Sequence, residues 1–420
     1  MPDIQPFAAV RYNPDVVPLK SVVVPPYDVI KEAERARLAA EPFSGVQLTL
    51  APSREGDTGA DNRYTRARDR FEQWRREGVL IQDDRPCLYV LAQDFEWRGK
   101  AYRRSHLVCA CRLHEWDEAV ILPHEQILQG PKDDRQRLIE TTRANFEPLF
   151  GLTLGNGETF RAALRENSQG EPIADVTLPT GERNRVWRID HPAAIAAIQA
   201  DLKERQVIIA DGHHRYTASL GVKRDLNATA GPGPWDYAMM TLAAMDDPEL
   251  LVLPTHRIVT GISTEFDAVI ESLDEFFAIE TFDSPREVEE AMEASEGIAI
   301  GMLAAGQGNY LLTPWRPEEI GDRIEGKHSK AWRSLDVSIL HGIVMARVLG
   351  LGSGESPHIS YTRDPAEAIQ SVANGAAFAF LLKHTPTDAV RVIALGGETM
   401  PQKSTFFYPK LLTGLLMRVW

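Results

Sequence analysis

Three cysteines in 420 residues, Cys87, Cys109 and Cys111, are too few for a disulfide framework. Cys109 and Cys111 are separated by one residue in a segment that reads as a strand, so their side chains share a face. A zinc site built on that pair lacks two further ligands at suitable spacing, and the expectation is reduced thiols in a cytoplasmic protein with no protein-held metal. Long apolar runs are missing too: nothing approaches the ~18–20 residues that cross a bilayer. The opening Met1-Pro2-Asp3-Ile4-Gln5-Pro6 has neither the basic start nor the apolar stretch of a secretory signal. Positive charge is in deficit, with 46 Lys and Arg against 60 Asp and Glu, a net charge of −14. That balance argues against duplex nucleic acid or an anionic membrane surface as partner.

What is present is an ordinary globular composition, 43% hydrophobic and 25% charged, in a chain too long for one compact core. Strands and helices are interleaved throughout, which predicts an α/β (mixed α+β) fold instead of a sandwich or a bundle. The texture divides into an N-terminal α/β lobe over 1–120 and a central lobe over 121–260. An α+β module follows over 261–335, and a C-terminal segment over 336–420 packs back on the core. Ser21 to Val24 reads as a β-branched strand ended by Pro25-Pro26. Residues 61–78 carry Tyr64, Phe71 and Trp74 at helical spacing and end at Gly78, an amphipathic helix. Residues 86–93 and 101–112 read as a hairpin around Arg98-Gly99-Lys100. Helices are expected near 133–145, 192–205, 264–276, 285–294, 336–349 and 364–374. Strands are expected near 147–154, 186–190, 207–210, 237–245, 251–259, 297–304, 308–313, 357–361 and 376–382.

The strongest chemical signal is the unit strand, then Asp211-Gly212-His213-His214-Arg215, then helix. Gly212 permits a tight turn at the strand exit. The helix start offers unpaired N–H groups and the positive end of a dipole, both suited to an anion. Arg215 adds a planar fork matched to phosphate, and the two histidines add donors that can shuttle a proton. Against this stands the bland alternative, in which Asp211 caps the helix and the imidazoles pack against neighbours. Two histidines and an arginine together at such a turn favour the phosphate reading, with Asp211 and His213 as candidate catalytic groups.

A second constellation is Leu122-Pro123-His124-Glu125 followed by Lys132, Arg135 and Arg143. Glu125 is a candidate general base, and His124 with the downstream cations is a candidate substrate site. The competing reading is a solvated helix in which Asp133 and Asp134 pair with Lys132 and Arg135. His256-Arg257 at the edge of an apolar strand, and Asp28 after Pro25-Pro26-Tyr27, are further substrate-binding candidates. Asp28 is equally suited to cap a helix starting near residue 31. Gly397 followed four residues later by Gln402-Lys403-Ser404 imitates a phosphate-binding loop but lacks its second glycine, so that motif is rejected. Lys403, Ser404 and Thr405 remain candidate anion contacts from a different backbone shape. No His-x-x-x-His or Glu-x-x-His pair gathers metal ligands on one helix face, and Mg²⁺ carried by nucleotide phosphates fits better than a caged zinc.

Residues 186–220, a strand, a helix, a strand and the 211–215 turn, resemble the ParB/sulfiredoxin superfamily. There a short glycine-containing turn holds nucleotide phosphates at a helix start, and the Asp-Gly-His-His-Arg version is most similar to that of the free-serine kinases. Over the chain as a whole, Val24-Pro25-Pro26-Tyr27-Asp28, Leu122-Pro123-His124-Glu125, Gly130-Pro131-Lys132-Asp133-Asp134-Arg135 and the 211–215 turn occur in that order. Leu335-Asp336-Val337, Leu340-His341 and Met400-Pro401-Gln402-Lys403-Ser404-Thr405-Phe406-Phe407-Tyr408-Pro409-Lys410 follow them. This set resembles the family numbered 1015 among domains of unknown function. The two resemblances imply a nucleotide-dependent small-molecule kinase, using ATP or ADP with Mg²⁺ and acting on a hydroxy-amino acid such as serine. The alternatives are a phosphatase of a phosphorylated metabolite such as phosphoserine and a non-enzymatic nucleotide-sensing regulator.

Overall fold

The computed structural model describes residues 1–126, 129–262, 264–352 and 356–420, with the side chains of 129–131 left aside. The chain forms two compact units. One comprises Met1–Pro123, Ile127–Leu250 and Pro409–Trp420, the other His124–Gln126 and Leu251–Tyr408. The mixed α/β class is as expected from the interleaved pattern.

The first unit is built on a nine-stranded sheet. Its strands are β1 (Ile4–Gln5), β2 (Leu88–Trp97), β3 (Lys100–Arg112), β4 (Ile121–Leu122), β5 (Leu149–Thr153), β6 (Ala174–Thr177), β7 (Arg183–Ile189), β8 (Val207–Asp211) and β9 (Tyr237–Ala244). They run in the order β4-β8-β5-β9-β3-β2-β7-β6, with β1 added beside β3. Only β8 with β4 and β9 with β5 are parallel. The β2–β3 hairpin turns on Arg98 (φ 49°) and Gly99 (φ 77°), the paired left-handed conformation that a two-residue hairpin requires. Cys109 and Cys111 both point into the core under this sheet, with Val207, Ile209, Met240 and Leu242. Helix α1 (Arg63–Arg76) buries Ala67, Phe71 and Trp74 on one stripe, and a capping box between Asn62 and Thr65 starts it. Helices α2 (Gln129–Thr142), α3 (Pro192–Lys203) and α4 (His213–Ala230) complete the frame around the candidate site.

The second unit carries a six-stranded sheet of β10 (His256–Val259), β11 (Phe277–Phe282), β12 (Ile300–Ala304), β13 (Gly308–Pro314), β14 (Ile359–Thr362) and β15 (Phe378–Leu381). Its order is β11-β13-β12-β15-β10-β14. Helices α5 (Phe266–Asp274), α6 (Pro285–Ala294) and α7 (Pro365–Ala373) accompany it.

Several expectations are corrected. The segment 21–24 is not a strand: residues Leu19–Val22 form one helical turn, and Val24 makes a single bridge to Thr413. The β-branched run has no partner strand alongside, and pairing outweighs intrinsic preference. The single strand expected over 251–259 is two, Leu251–Leu253 paired with Phe406–Tyr408 and β10 in the six-stranded sheet. Pro254, which cannot donate to a ladder, breaks the run. Strand β11 went unread because its burial alternates weakly. The helix placed at 133–145 starts at Gln129 and ends at Thr142, with Arg143 in the left-handed conformation (φ 53°) that terminates it. Asp28 sits in a short 3-10 turn, Tyr27–Val29, and the following helix is capped at Lys31, so the capping role for Asp28 falls away.

Candidate functional site

In the first unit, β8 carries four buried residues, Val207 to Ala210, and delivers Asp211 at its C-terminal end. Gly212 then adopts φ 93° and ψ 29°, a left-handed conformation that an L side chain resists. A Cβ at this position would also lie 3.0–3.1 Å from the Arg215 guanidinium. Helix α4 begins at His213, and the first bond of its own ladder runs from the Tyr216 N–H to the Gly212 carbonyl at 2.8 Å. The amides of 213–215 thus lie ahead of that ladder at the positive end of an 18-residue helix. Tyr216 anchors the helix by accepting from the His114 N–H (2.9 Å) and donating to the His114 carbonyl (2.8 Å).

Arg215 is not the open fork expected of it. It is 6% exposed; one Nη donates to the Pro148 carbonyl and the other to Asp211 Oδ2 at 2.5 Å. Asp211 receives a second cation, the Lys410 ammonium, on its other oxygen. Burial draws Arg215 towards deprotonation, but Asp211, Glu147, Asp28 and Tyr27 together hold its pKa above the ordinary arginine value. It places a cation at the turn and fixes Asp211 by this contact. His213 is buried and His214 half-buried at the same turn.

Arg135 is likewise interior. Its guanidinium donates to the Thr49 carbonyl (2.9 Å), Asp134 (2.8 Å) and Glu147 (3.4 Å), and lies 4.3 Å from the Tyr27 ring centre. The Tyr27 N–H and the Thr413 hydroxyl both donate to Glu147 Oε1, at 3.0 and 3.2 Å. Burial, with Asp28 adding to it, pushes the Tyr27 phenol up. Asp28 itself is exposed, within electrostatic range of both Tyr27 and Arg215. Within this unit the fold therefore brings together Tyr27, Asp28, Arg135, Glu147, the 211–215 turn and Lys410. Lys132 is half-buried on the second turn's approach of α2, and Arg143 is exposed at its end.

The remaining candidates belong to the second unit. His124 is fully buried, with Nε2 2.9 Å from the Thr405 hydroxyl. Glu125 Oε1 accepts the Lys403 N–H at 3.0 Å, and Lys403 is held at φ 55°. Ser404 and Thr405 are buried, and the Ser404 hydroxyl donates back to the Pro401 carbonyl at 2.5 Å. The Ser404 contact helps close the 400–405 turn. Arg257, 1% exposed, donates to the carbonyls of Thr255, Gln402 and Lys403 and to His341 Nε2. Burial pulls its pKa down to about 10, against Tyr361 and Glu125. His256 is buried with Nδ1 accepting the Leu382 N–H at 3.2 Å. His256 and Arg257 therefore lie inside the sheet and the turn it supports, and do not form an open substrate surface.

Glu147 and Lys410 went unread as site residues. Lys410 lies in the 400–410 motif, but no local pattern ties it to Asp211, 199 residues earlier. Nothing around Glu147 singled it out. Among the described residues, no helix is long and apolar enough to cross a membrane.

The chain is similar in fold to several solved structures. One is a conserved hypothetical protein from Pyrococcus furiosus, at 13% identity and TM-score 0.36 over 71% of this chain and 92% of that one. A mutant of free serine kinase in complex with ADP gives 14%, 0.37, 70% and 89%. SbnI with a C-terminal truncation, from Staphylococcus aureus, gives 11%, 0.37, 71% and 84%. No curated protein matches the chain in sequence. Residues 4–338 match the family described as "Protein of unknown function (DUF1015)", and the chain belongs to that family.

Proposed function

We propose that this protein is a nucleotide-dependent small-molecule kinase acting on a hydroxy-amino acid such as serine, with its phosphate cup at the 211–215 turn. The observation that carries the reading is the exit of β8. There a left-handed glycine, the start of a long helix, a lysine and an arginine surround one carboxylate. Phosphoryl transfer is chiefly positioning and charge stabilisation, and this turn supplies amides, a helix dipole and cations in one place. In this reading the amides of Gly212 to Arg215 and the His213 and His214 rings receive phosphate oxygens. Mg²⁺ arrives with ATP or ADP, and the nucleotide supplies the transferable phosphoryl group. Lys410 and Arg215 orient Asp211. The base that takes the substrate hydroxyl proton is assigned to Asp28, which is exposed and faces the field of Arg215, whereas Glu125 is engaged with the Lys403 amide. The ParB/sulfiredoxin-like character of 186–220 belongs to the same reading, since a strand, helix, strand and glycine turn follow one another there.

The test is incubation of the full chain with serine, Mg²⁺ and ATP or ADP, with phosphoserine detected by mass spectrometry. Product that appears only with nucleotide, and that falls about a hundredfold in Asp28→Asn while nucleotide still binds, supports the assignment. Loss of phosphate from phosphoserine without nucleotide would instead favour a phosphatase using the same cup. Nucleotide binding indifferent to His214→Ala would remove the cup altogether.

A further inference from the structure

The second unit holds a separate cavity of about 700 Å³ that the proposed chemistry does not use. That volume is in the range of small-molecule sites, roughly 300–1,000 Å³. Its wall carries three arginines, Arg316, Arg323 and Arg347, in a chain whose net charge is −14. Arg316 pairs with Glu319 at 3.2 Å. Among the described residues Arg323 and Arg347 have no carboxylate partner, so two exposed guanidinium groups face the cavity uncompensated, with Glu275 the one further acid in the wall.

The aromatic wall is equally specific. Trp315 is 59% exposed, an unusual position for an indole in a packed unit. It is nevertheless held: its main-chain N–H donates to the Phe276 carbonyl at 3.0 Å and its ring N–H to the Asp274 carbonyl at 2.9 Å. Both tethers fix the ring while leaving its face to the solvent. The Arg347 guanidinium lies 5.9 Å from the Phe276 ring centre. Arg347 is carried by a π-helix, Leu340–Val348, a geometry that is rare and concentrated at functional sites.

We propose that this cavity is a second ligand site, which takes a nucleoside diphosphate. The base would stack on the Trp315 face, and the phosphates would lie between Arg323 and Arg347. A fixed indole face recognises a planar ring, and two unpaired guanidinium groups match the charge and fork geometry of a diphosphate. The site is distinct from the 211–215 turn and stands whether or not that turn binds nucleotide.

Calorimetric titration of the full chain with ADP, inorganic diphosphate and adenosine tests it. Arg323→Ala with Arg347→Ala weakens ADP and diphosphate about tenfold or more at this site, with an unchanged melting temperature because both side chains are exposed. Trp315→Ala weakens ADP and adenosine but leaves diphosphate unchanged, and ADP quenches fluorescence in the wild type that Trp315→Phe lacks. His214→Ala leaves the ADP quench of Trp315 fluorescence intact, which separates this site from the turn. An ADP isotherm unaffected by the double arginine substitution, or a Trp315→Ala variant that loses diphosphate as much as ADP, would overturn the proposal.

Discussion

In the first unit Arg215 and Arg135 are buried beside Asp211, Asp134 and Glu147, and those carboxylates lift both guanidinium groups above their ordinary pKa despite burial. In the second unit Arg257 is buried among carbonyl oxygens and an imidazole, and burial draws it down to about 10. The first arrangement keeps the guanidinium groups charged beside carboxylates at the end of a strand. The second spends a guanidinium on main-chain carbonyls and fixes the shape of the 400–405 turn. The same residue type thus serves electrostatics in one unit and backbone geometry in the other, and the surrounding acceptors decide which.

Removing a carboxylate should be the harshest test of that contrast. Asp211→Ala leaves Arg215 and Lys410 without their shared counter-charge, and urea unfolding should lose about 3–5 kcal/mol. Charge in the second unit should show itself through pH. Burial, reinforced by Arg257, holds His341 at about 3, below its ordinary 6.5. The unfolded chain binds that proton more readily, so this contribution is full above pH 6.5 and is lost as pH falls towards 3. Asp336, raised by burial to about 6, works in the opposite sense: the folded chain binds its proton more readily, so stability falls as pH rises from about 4 to about 6. His341→Gln should remove the acid-side loss and Asp336→Asn the neutral-side one, each worth roughly 3 kcal/mol, in urea midpoints measured from pH 4 to 7.

Arg257→Met, which replaces the guanidinium by an apolar chain of similar length, should cost about 1–3 kcal/mol, because carbonyls of Thr255, Gln402 and Lys403 lose their donor. A larger loss would mean that Arg257 carries an electrostatic role like that of Arg215. The smallest effect is expected from Gly212→Ala, roughly 1–2 kcal/mol for the left-handed backbone and the nearby guanidinium, accompanied by weaker ADP binding at the turn. An undiminished ADP affinity there would detach the turn from phosphate.

Local features were legible and non-local ones were not. The 207–220 unit, the Arg98-Gly99 hairpin and the stripe of α1 follow from periodicity and glycine placement within a few residues. The segment 21–24 misled because its β-branched residues say nothing about whether a partner strand lies beside them. Exposure of arginine is equally silent in sequence: Arg215, Arg135 and Arg257 looked like surface forks, and each is interior because acceptors from distant segments meet it. The Asp211–Lys410 contact spans 199 residues, and only the folded sheet discloses it.

Residues 409–420 belong to the first unit although 251–408 build the second. On a ribosome the ammonium of Lys410 emerges only after the whole second unit has been made. Until then Asp211 lacks its Lys410 contact, and Arg418–Val419 cannot close its ladder on Ala144–Asn145. Completion of the first unit is therefore delayed by translation order, and a nascent chain halted anywhere before Lys410 would leave Asp211 without that ammonium.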